Sequence, residues 1–174
     1  MTTVLATGGL GFIGSHTCVA LLRDGYDVLI IDSLVNSSLD TLSSIKKIIS
    51  LEYIGSENQI FFKKGDLRNT LWLEQVFNEF IQISKPIELV IHFAGLKSVG
   101  ESVMFPLRYW DANVNGSLTL FKIMDKYTMI EIIGRLKDRT VEEFKHQIIC
   151  NKNQNIQVLT NRNDQVEKFD ERIN

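Results

Sequence analysis

Apolar residues follow two alternating rhythms along most of the chain. Short runs of consecutive apolar positions alternate with longer stretches in which such positions recur every three or four residues, the signatures of buried strands and of amphipathic helices. Thr3 to Thr7 is the first short run. A glycine cluster follows it, then Ser15 to Arg23 with Cys18, Val19, Leu21 and Leu22 at helical spacing, until Asp24-Gly25 stops the helix. Asp27 to Asp32 (DVLIID) is a strand whose apolar residues are consecutive, as expected where both faces are covered. The pattern then predicts a helix over Leu39 to Ile54, a strand over Gln59 to Lys63, a helix over Thr70 to Ile83 and a strand over Glu88 to Phe93 (ELVIHF). Pro106 to Tyr127 reads as one long helix, with Leu107, Trp110, Val114, Leu118, Phe121 and Met124 on its apolar face. Alternating strand and helix signals of this kind predict an α/β fold, a parallel sheet wound with helices on both faces.

Composition divides the chain. Residues 1–128 hold ten of the eleven glycines, both prolines and 24 charged residues. Residues 129–174 hold one glycine, no proline, six asparagines and 16 charged residues, a shift toward weaker core-forming capacity. The expected organisation is therefore a Rossmann-like, doubly wound parallel sheet over 1–128, truncated after about four or five strands, followed by an α-rich polar tail over 129–174. Within the tail, Met129 to Ile133 (MIEII) suits a fifth strand beside the fourth. Thr140 to Cys150 suits a short helix opened by a Thr140/Glu143 capping box, and Ile156 to Thr160 a short strand.

Charge and cysteine count narrow the function classes. With 19 basic against 21 acidic residues in 174, a broad basic face for nucleic acid is not expected. No apolar run approaches the roughly 20 residues that span a bilayer, and the amino terminus lacks the features of a cleavable leader. Cys18 and Cys150 are too few for a disulfide scaffold, which points to a reducing, cytoplasmic location. His146 and Cys150 stand four residues apart without further ligands nearby, so no metal is expected.

The segment TGGLGFIGSH, Thr7 to His16, carries the most chemistry. Gly8, Gly11 and Gly14 lie between a strand and a helix, where they serve respectively a tight turn, a close backbone approach to a pyrophosphate and close packing of helix on strand. The helix start then presents free N–H groups to phosphate charge. Asp32, at the end of the second strand, is placed to accept hydrogen bonds from an adenosine ribose and to repel a 2′-phosphate, which favours NAD over NADP. Capping of the next turn is the alternative role for that carboxylate. Asp66 follows the third strand, where it either meets an adenine amine while Leu67 packs on the ring, or caps the helix beginning near Asn69. After the fourth strand, Ala94-Gly95 brings backbone near the ribose and nicotinamide; Lys97 reads either as a phosphate-directed cation or as a surface lysine. His92 reads as a packed, hydrogen-bonded strand residue rather than a catalyst.

TGGLGFIGSHT, DSLVNSS (Asp32 to Ser38), GDLRN (Gly65 to Asn69), HFAGLKSVGESV and NVNGSL (Asn113 to Leu118), taken together, resemble the amino-terminal half of UDP-glucose 4-epimerases, extended short-chain dehydrogenase/reductases. The match runs from about Val4 to about Met124. The resemblance implies a tightly held NAD that takes a hydride from C4 of a UDP-sugar and returns it to the other face of the 4-keto intermediate. Carried over by position, it puts Gly8, Gly11, Phe12, Ile13 and Gly14 around the pyrophosphate. Asp32, Ser33, Asn36 and Ser37 would hold the adenosine ribose and nearby phosphate, Asp66 and Leu67 the adenine, and Phe93, Ala94, Gly95 and Lys97 the nicotinamide side.

Two departures stand against the resemblance. Ala112 occupies a position where the family usually has an asparagine contacting the cofactor region, which would leave Asn113 to serve the following helix. The family also uses a Tyr-x-x-x-Lys pair, in which nearby positive charge lowers the tyrosine pKa so that it acts as base. Here the residues four places after Tyr26, Tyr53, Tyr109 and Tyr127 are Ile30, Glu57, Asn113 and Glu131. No catalytic residue is therefore assigned. The expectation is an epimerase amino-terminal half that binds NAD, meets a UDP-sugar only if a second domain is supplied, and is inactive alone. The alternatives are one half of a split epimerase and a non-catalytic NAD-binding or regulatory module. Exposure of the face that the rest of the family fold covers implies self-association or a covering partner.

Overall fold

The computed structural model describes residues 1–52, 59–127, 148–150 and 156–158. The chain divides into two compact units, Met1–Met129 and Ile130–Asn174.

In the first unit, strands β1 (Thr3–Thr7), β2 (Asp27–Asp32), β3 (Ile60–Lys64) and β4 (Ile87–His92) form one sheet in the order β3-β2-β1-β4, every pair parallel. Parallel neighbours need long crossovers, and helices α1 (Phe12–Arg23), α2 (Leu39–Glu52) and α3 (Thr70–Gln82) supply them. Every residue of β1 and β2 is buried, so the sheet centre is covered on both faces. The helices pack as two pairs, α1 with α2 and α3 with α6 (Gly116–Lys126). This is the Rossmann-like architecture expected. The core is built from Val4, Leu5, Val28 to Ile31, Leu73, Phe77, Phe80 and Leu120, all almost fully shielded from solvent. Burying an aliphatic or aromatic side chain of this size contributes roughly 1.5–3 kcal/mol.

In the first unit the predicted strands and helices agree with the structure to within a residue or two, with four differences. Helix α1 begins at Phe12 rather than Ser15: Phe12 and Ile13 face solvent, so apolar periodicity does not mark the first turn. A helix α4 (Val99–Met104) stands where a loop was expected. Its signal is polar: the Ser98 side chain accepts from the Glu101 N–H, a Ser-x-x-Glu start whose apolar positions remain exposed. The long helix after Pro106 is three pieces, α5 (Pro106–Trp110), a π-helical turn over Asp111–Asn115, and α6.

That helix also buries largely a different face from the one predicted. Of the predicted face, Leu107, Trp110, Val114 and Leu118 are exposed, Phe121 is half-buried and Met124 is buried; the other buried positions are Tyr109, Gly116, Leu120 and Ile123. Both stripes are apolar and both repeat every three to four residues, so periodicity identifies a helix without choosing its inner side.

In the second unit, β5 (Ile148–Cys150) and β6 (Ile156–Val158) pair antiparallel. The carboxyl end of the helix predicted over Thr140 to Cys150 is thus strand; the β-branched Ile148-Ile149 favours extended backbone over helix. The fifth strand expected at Met129 to Ile133 and the rest of that helix lie outside the described residues. Among the described residues, no helix is long and apolar enough to cross a membrane, and no group of three or more His, Cys, Asp or Glu is placed to hold a metal.

One ion pair anchors the amino-terminal edge of the sheet. Asp27 opens β2 at 1% exposure, and its Oδ2 lies 2.5 Å from Nζ of Lys85, in the turn before β4. Lys85 also sits over the Phe61 ring at 5.2 Å. The other carboxylate oxygen, Oδ1, has no partner among the described residues, so the lysine is the principal compensation for a buried charge. Lys85→Met keeps the apolar stem but strands that charge. Urea unfolding should show a loss of roughly 2 kcal/mol, largely recovered when Asp27→Asn is added.

Candidate functional site

The four parallel strands end at Thr7, Asp32, Lys64 and His92. Between β1 and β4 the order of strand addition reverses, since β1 leads through α1 to β2 and β3 on one side while β4 returns to the other. The loops leaving such neighbours part and open a crevice outside the strand ends. A cavity of about 370 Å³ occupies this place. It is lined by Gly8, Gly11, Phe12, Ile13, Gly14, Asp32, Ser33, Asn36, Asp66, Leu67, Phe93, Ala94, Gly95 and Lys97. Of the residues singled out in the sequence, only Ser37 is not in the wall.

The glycine turn is shaped by close backbone approach. Gly8 has φ +65°, and a Cβ there would come within 2.7 Å of the Ala94 backbone nitrogen. A Cβ on Gly14 would strike the Gly8 carbonyl oxygen. The Gly8 N–H donates to the Ile31 carbonyl at 2.7 Å, and Phe93 N–H donates to the Thr7 carbonyl at 2.9 Å, so the turn is pinned from both neighbouring strands. Helix α1 starts with no side-chain cap at Gly11 and no acidic residue in its first turn. Phe12, Ile13 and Gly14 line the cavity, so the orphan donors and positive end of the helix open onto it.

Asp32 is 7% exposed and bonds in two directions. Its Oδ2 accepts from the Leu10 N–H at 3.1 Å, inside the glycine turn; its Oδ1 accepts from the Leu34 N–H at 3.0 Å and from the Ser37 hydroxyl at 2.7 Å. Ser37 therefore acts behind the wall, on Asp32. The capping role weighed for Asp32 is present in the structure, and the same carboxylate still faces the cavity.

Asp66 does not cap α3. Asn69 does, its Oδ1 accepting from the Trp72 N–H at 3.1 Å. Asp66 instead accepts from the Arg68 N–H at 2.9 Å and from its guanidinium, which holds the carboxyl below the usual range. Arg68 also reaches Asp111 at 2.5 Å, tying the loop after β3 to the π-helical turn.

The β4 end is fixed by two further devices. Asn113, within the π-helical turn, accepts from the Leu96 N–H at 2.7 Å and donates to the Leu96 carbonyl at 2.9 Å. It serves the Ala94 to Lys97 loop rather than the following helix. His92 bridges Thr7 Oγ1 at 2.6 Å through Nδ1 and Ser117 Oγ at 2.8 Å through Nε2. Ala94 N–H feeds Thr7 Oγ1 at 3.4 Å, and Ser117 donates to the Asn113 carbonyl at 2.5 Å. Ser117 spends its one proton on the Asn113 carbonyl, so Nε2–H donates to Ser117, and in the neutral ring Nδ1 then accepts from the Thr7 hydroxyl. The ring is neutral, and burial pushes its pKa down to about 4. His92 is thus the hydrogen-bonded strand residue expected, and it sets the spacing of β1, β4 and α6.

Sequence reasoning missed Arg68 and Arg108 in the cavity wall and Asn113 behind it. For Asn113 the signal lay inside the quoted NVNG string, but an α-helical reading points that side chain along its own helix. Cys18, buried under the glycine turn, has its thiol pushed up to about 12, chiefly by burial and then by the nearby Asp32 charge. It is a packing residue.

A family model described as GDP-mannose 4,6 dehydratase matches residues 5–144. The chain belongs to this family. Within the GDP-mannose 4,6 dehydratase family it is similar to the UDP-glucose 4-epimerase of Schizosaccharomyces pombe, 43% identical over 131 residues, 75% of this chain and 34% of that protein. The Bacillus subtilis UDP-glucose 4-epimerase is 42% identical over 130 residues, again 75% of this chain and 35% of the other. Among solved structures, the UDP-glucose 4-epimerase from Bifidobacterium longum in complex with NAD+ and UDP is 42% identical with a TM-score of 0.64, covering 74% of this chain and 35% of that one. The Thermus thermophilus UDP-glucose 4-epimerase complex with NAD is 30% identical with a TM-score of 0.60, over 74% and 35%. The chain thus spans about a third of the length of these relatives.

The His92 bridge makes stability depend on pH. An exposed imidazole titrates near 6.5, whereas the folded one stays neutral down to about 4. Below pH 6.5 the unfolded chain binds a proton that the folded chain refuses, so stability falls as pH drops from about 6.5 toward 4. Urea unfolding at pH 5 should show about 2 kcal/mol less stability than at pH 7, and His92→Gln should flatten that difference. Asp66 does not confound the window, because its depressed carboxyl loses stabilising charge only at lower pH.

Proposed function

We propose that this crevice binds NAD and that the chain supplies the dinucleotide-holding part of a UDP-glucose 4-epimerase activity. One observation carries the reading: the uncapped, acid-free start of α1 and the buried Asp32 carboxylate open onto one cavity at the ends of the parallel strands. Gly8, Gly11, Phe12, Ile13 and Gly14 hold the pyrophosphate against the helix N–H groups. Asp32 accepts from the adenosine ribose, with Ser33 and Asn36 beside it and Ser37 holding the carboxylate in place. Asp66 and Leu67 flank the adenine, while Phe93, Ala94, Gly95 and Lys97 lie along the nicotinamide side. NAD, when bound, would accept and return the sugar hydride; these residues orient it and keep water from its faces.

The relatives named as UDP-glucose 4-epimerases, two of them solved with NAD, support this substrate class. Within these 174 residues no tyrosine is followed four places later by lysine. The base toward the sugar 4-hydroxyl, and the sugar-nucleotide contacts, are therefore assigned to polypeptide other than these residues.

Calorimetric titration of the 174-residue protein should saturate with NAD at sub-millimolar concentration and bind NADP at least about tenfold, or 1.4 kcal/mol, more weakly. Asp32→Asn should narrow that preference, because it removes the charge that repels a 2′-phosphate. Absence of saturation at millimolar NAD would sink the reading. The same protein incubated with UDP-galactose and NAD should give no epimerisation, and a rate within about tenfold of a complete relative would refute the assignment of the base elsewhere.

A further inference from the structure

The cavity wall carries two carboxylates, Asp32 and Asp66, and three cations, Arg68, Lys97 and Arg108. The cations differ in their commitments. Arg68 is neutralised twice, by Asp66 and by Asp111. Lys97 and Arg108 make no ion pair among the described residues, so they are the wall cations left for a ligand.

Arg108 stands on α5, and Ala112, in the π-helical turn, follows it by four residues on the same stretch of helix; both line the cavity. Residues four apart on a helix lie above one another on one face. Ala112 offers the cavity a methyl group and no hydrogen bond. Arg108 offers a planar fork of donors that matches phosphate oxygens. Its side chain is exposed while lining the cavity, so it is free to meet a ligand there.

We propose that Arg108 is a phosphate-binding residue of this cavity, making from α5 the polar contact to the dinucleotide diphosphate that Ala112 cannot make. The proposal rests on the NAD reading above and adds to it a residue outside the glycine turn. Without Arg108 the wall would hold as many carboxylates as cations, with one of those cations already spent on Asp66. With it, the cavity has a net positive charge for a ligand that brings two negative ones.

The test is calorimetric titration of the full 174-residue protein and its Arg108→Gln variant with NAD, ADP and adenosine. Because Arg108 is exposed, the variant should fold, and its thermal unfolding should match the parent's. Binding of NAD and ADP should weaken by about tenfold, the size expected of a charge-assisted contact, while adenosine binding stays unchanged. The loss should shrink in about 0.5 M salt, and adding Ala112→Asn to the variant should restore part of it. Parent and variant binding NAD and ADP within twofold of each other would overturn the role of Arg108 and leave the NAD reading standing. An equal loss for adenosine would also overturn it, since the effect would not lie at phosphate. A parent protein that binds no NAD would overturn both.

Discussion

Everything about the crevice depends on one buried carboxylate. Asp32 takes a backbone N–H from the glycine turn through one oxygen, and a backbone N–H and a hydroxyl from its own loop through the other. A carboxylate this shielded needs its lone pairs met by donors. By meeting them from two segments, it locks the turn after β1 to the turn after β2. The Gly8 turn is already forced against the Ala94 backbone, at a distance no side chain would permit. Loops after three adjacent strands are thereby fixed by contacts that leave little freedom, and the open space between them is a consequence.

The loop after β4 is held by a further network of a different kind. The hydrogen-bonded chain from Ala94 through Thr7, His92 and Ser117 to Asn113 spans β1, β4 and the helix that follows, with each ring nitrogen used once and each hydroxyl both accepting and donating. Asn113 then reaches back to clamp both polar groups of Leu96. That clamp is available because the helix widens to a π turn at this point. Such turns cost regular hydrogen bonding and are found where a side chain must be re-aimed, often at functional sites. The polar groups gathered here are nearly all satisfied by one another, so the loop lining the cavity is preorganised instead of waiting for a ligand to order it.

Much of this was legible in the sequence, and the reasons differ by element. The four strands and three crossover helices were legible because consecutive apolar runs and three-to-four spacing record burial directly. Gly8, Gly14 and Asp32 were legible because their roles are set by backbone geometry that few other residues tolerate. Helix α4 was not, since its apolar side chains face outward and only Ser98 and Glu101 mark its start. The inner face of α5 and α6 was misread because two apolar stripes share one helix, and only the sheet decides between them. Arg68 and Asn113 act across long stretches of sequence, and a linear pattern carries no information about which distant backbone or carboxylate a polar side chain meets.

The similarity of this chain to its relatives bears more on cofactor than on reaction. It covers about a third of each. Folds of this kind host many chemistries, because the same dinucleotide cradle serves whichever base and substrate pocket is set beside it. The matching family model is named for a GDP-mannose dehydratase, whereas the similar proteins are UDP-glucose epimerases. Those two names differ in the sugar nucleotide and in the reaction. A wall of Gly8, Asp32, Leu67 and Ala94 has no group that senses which sugar would be bound. Discrimination between such reactions must therefore arise where the sugar itself is held.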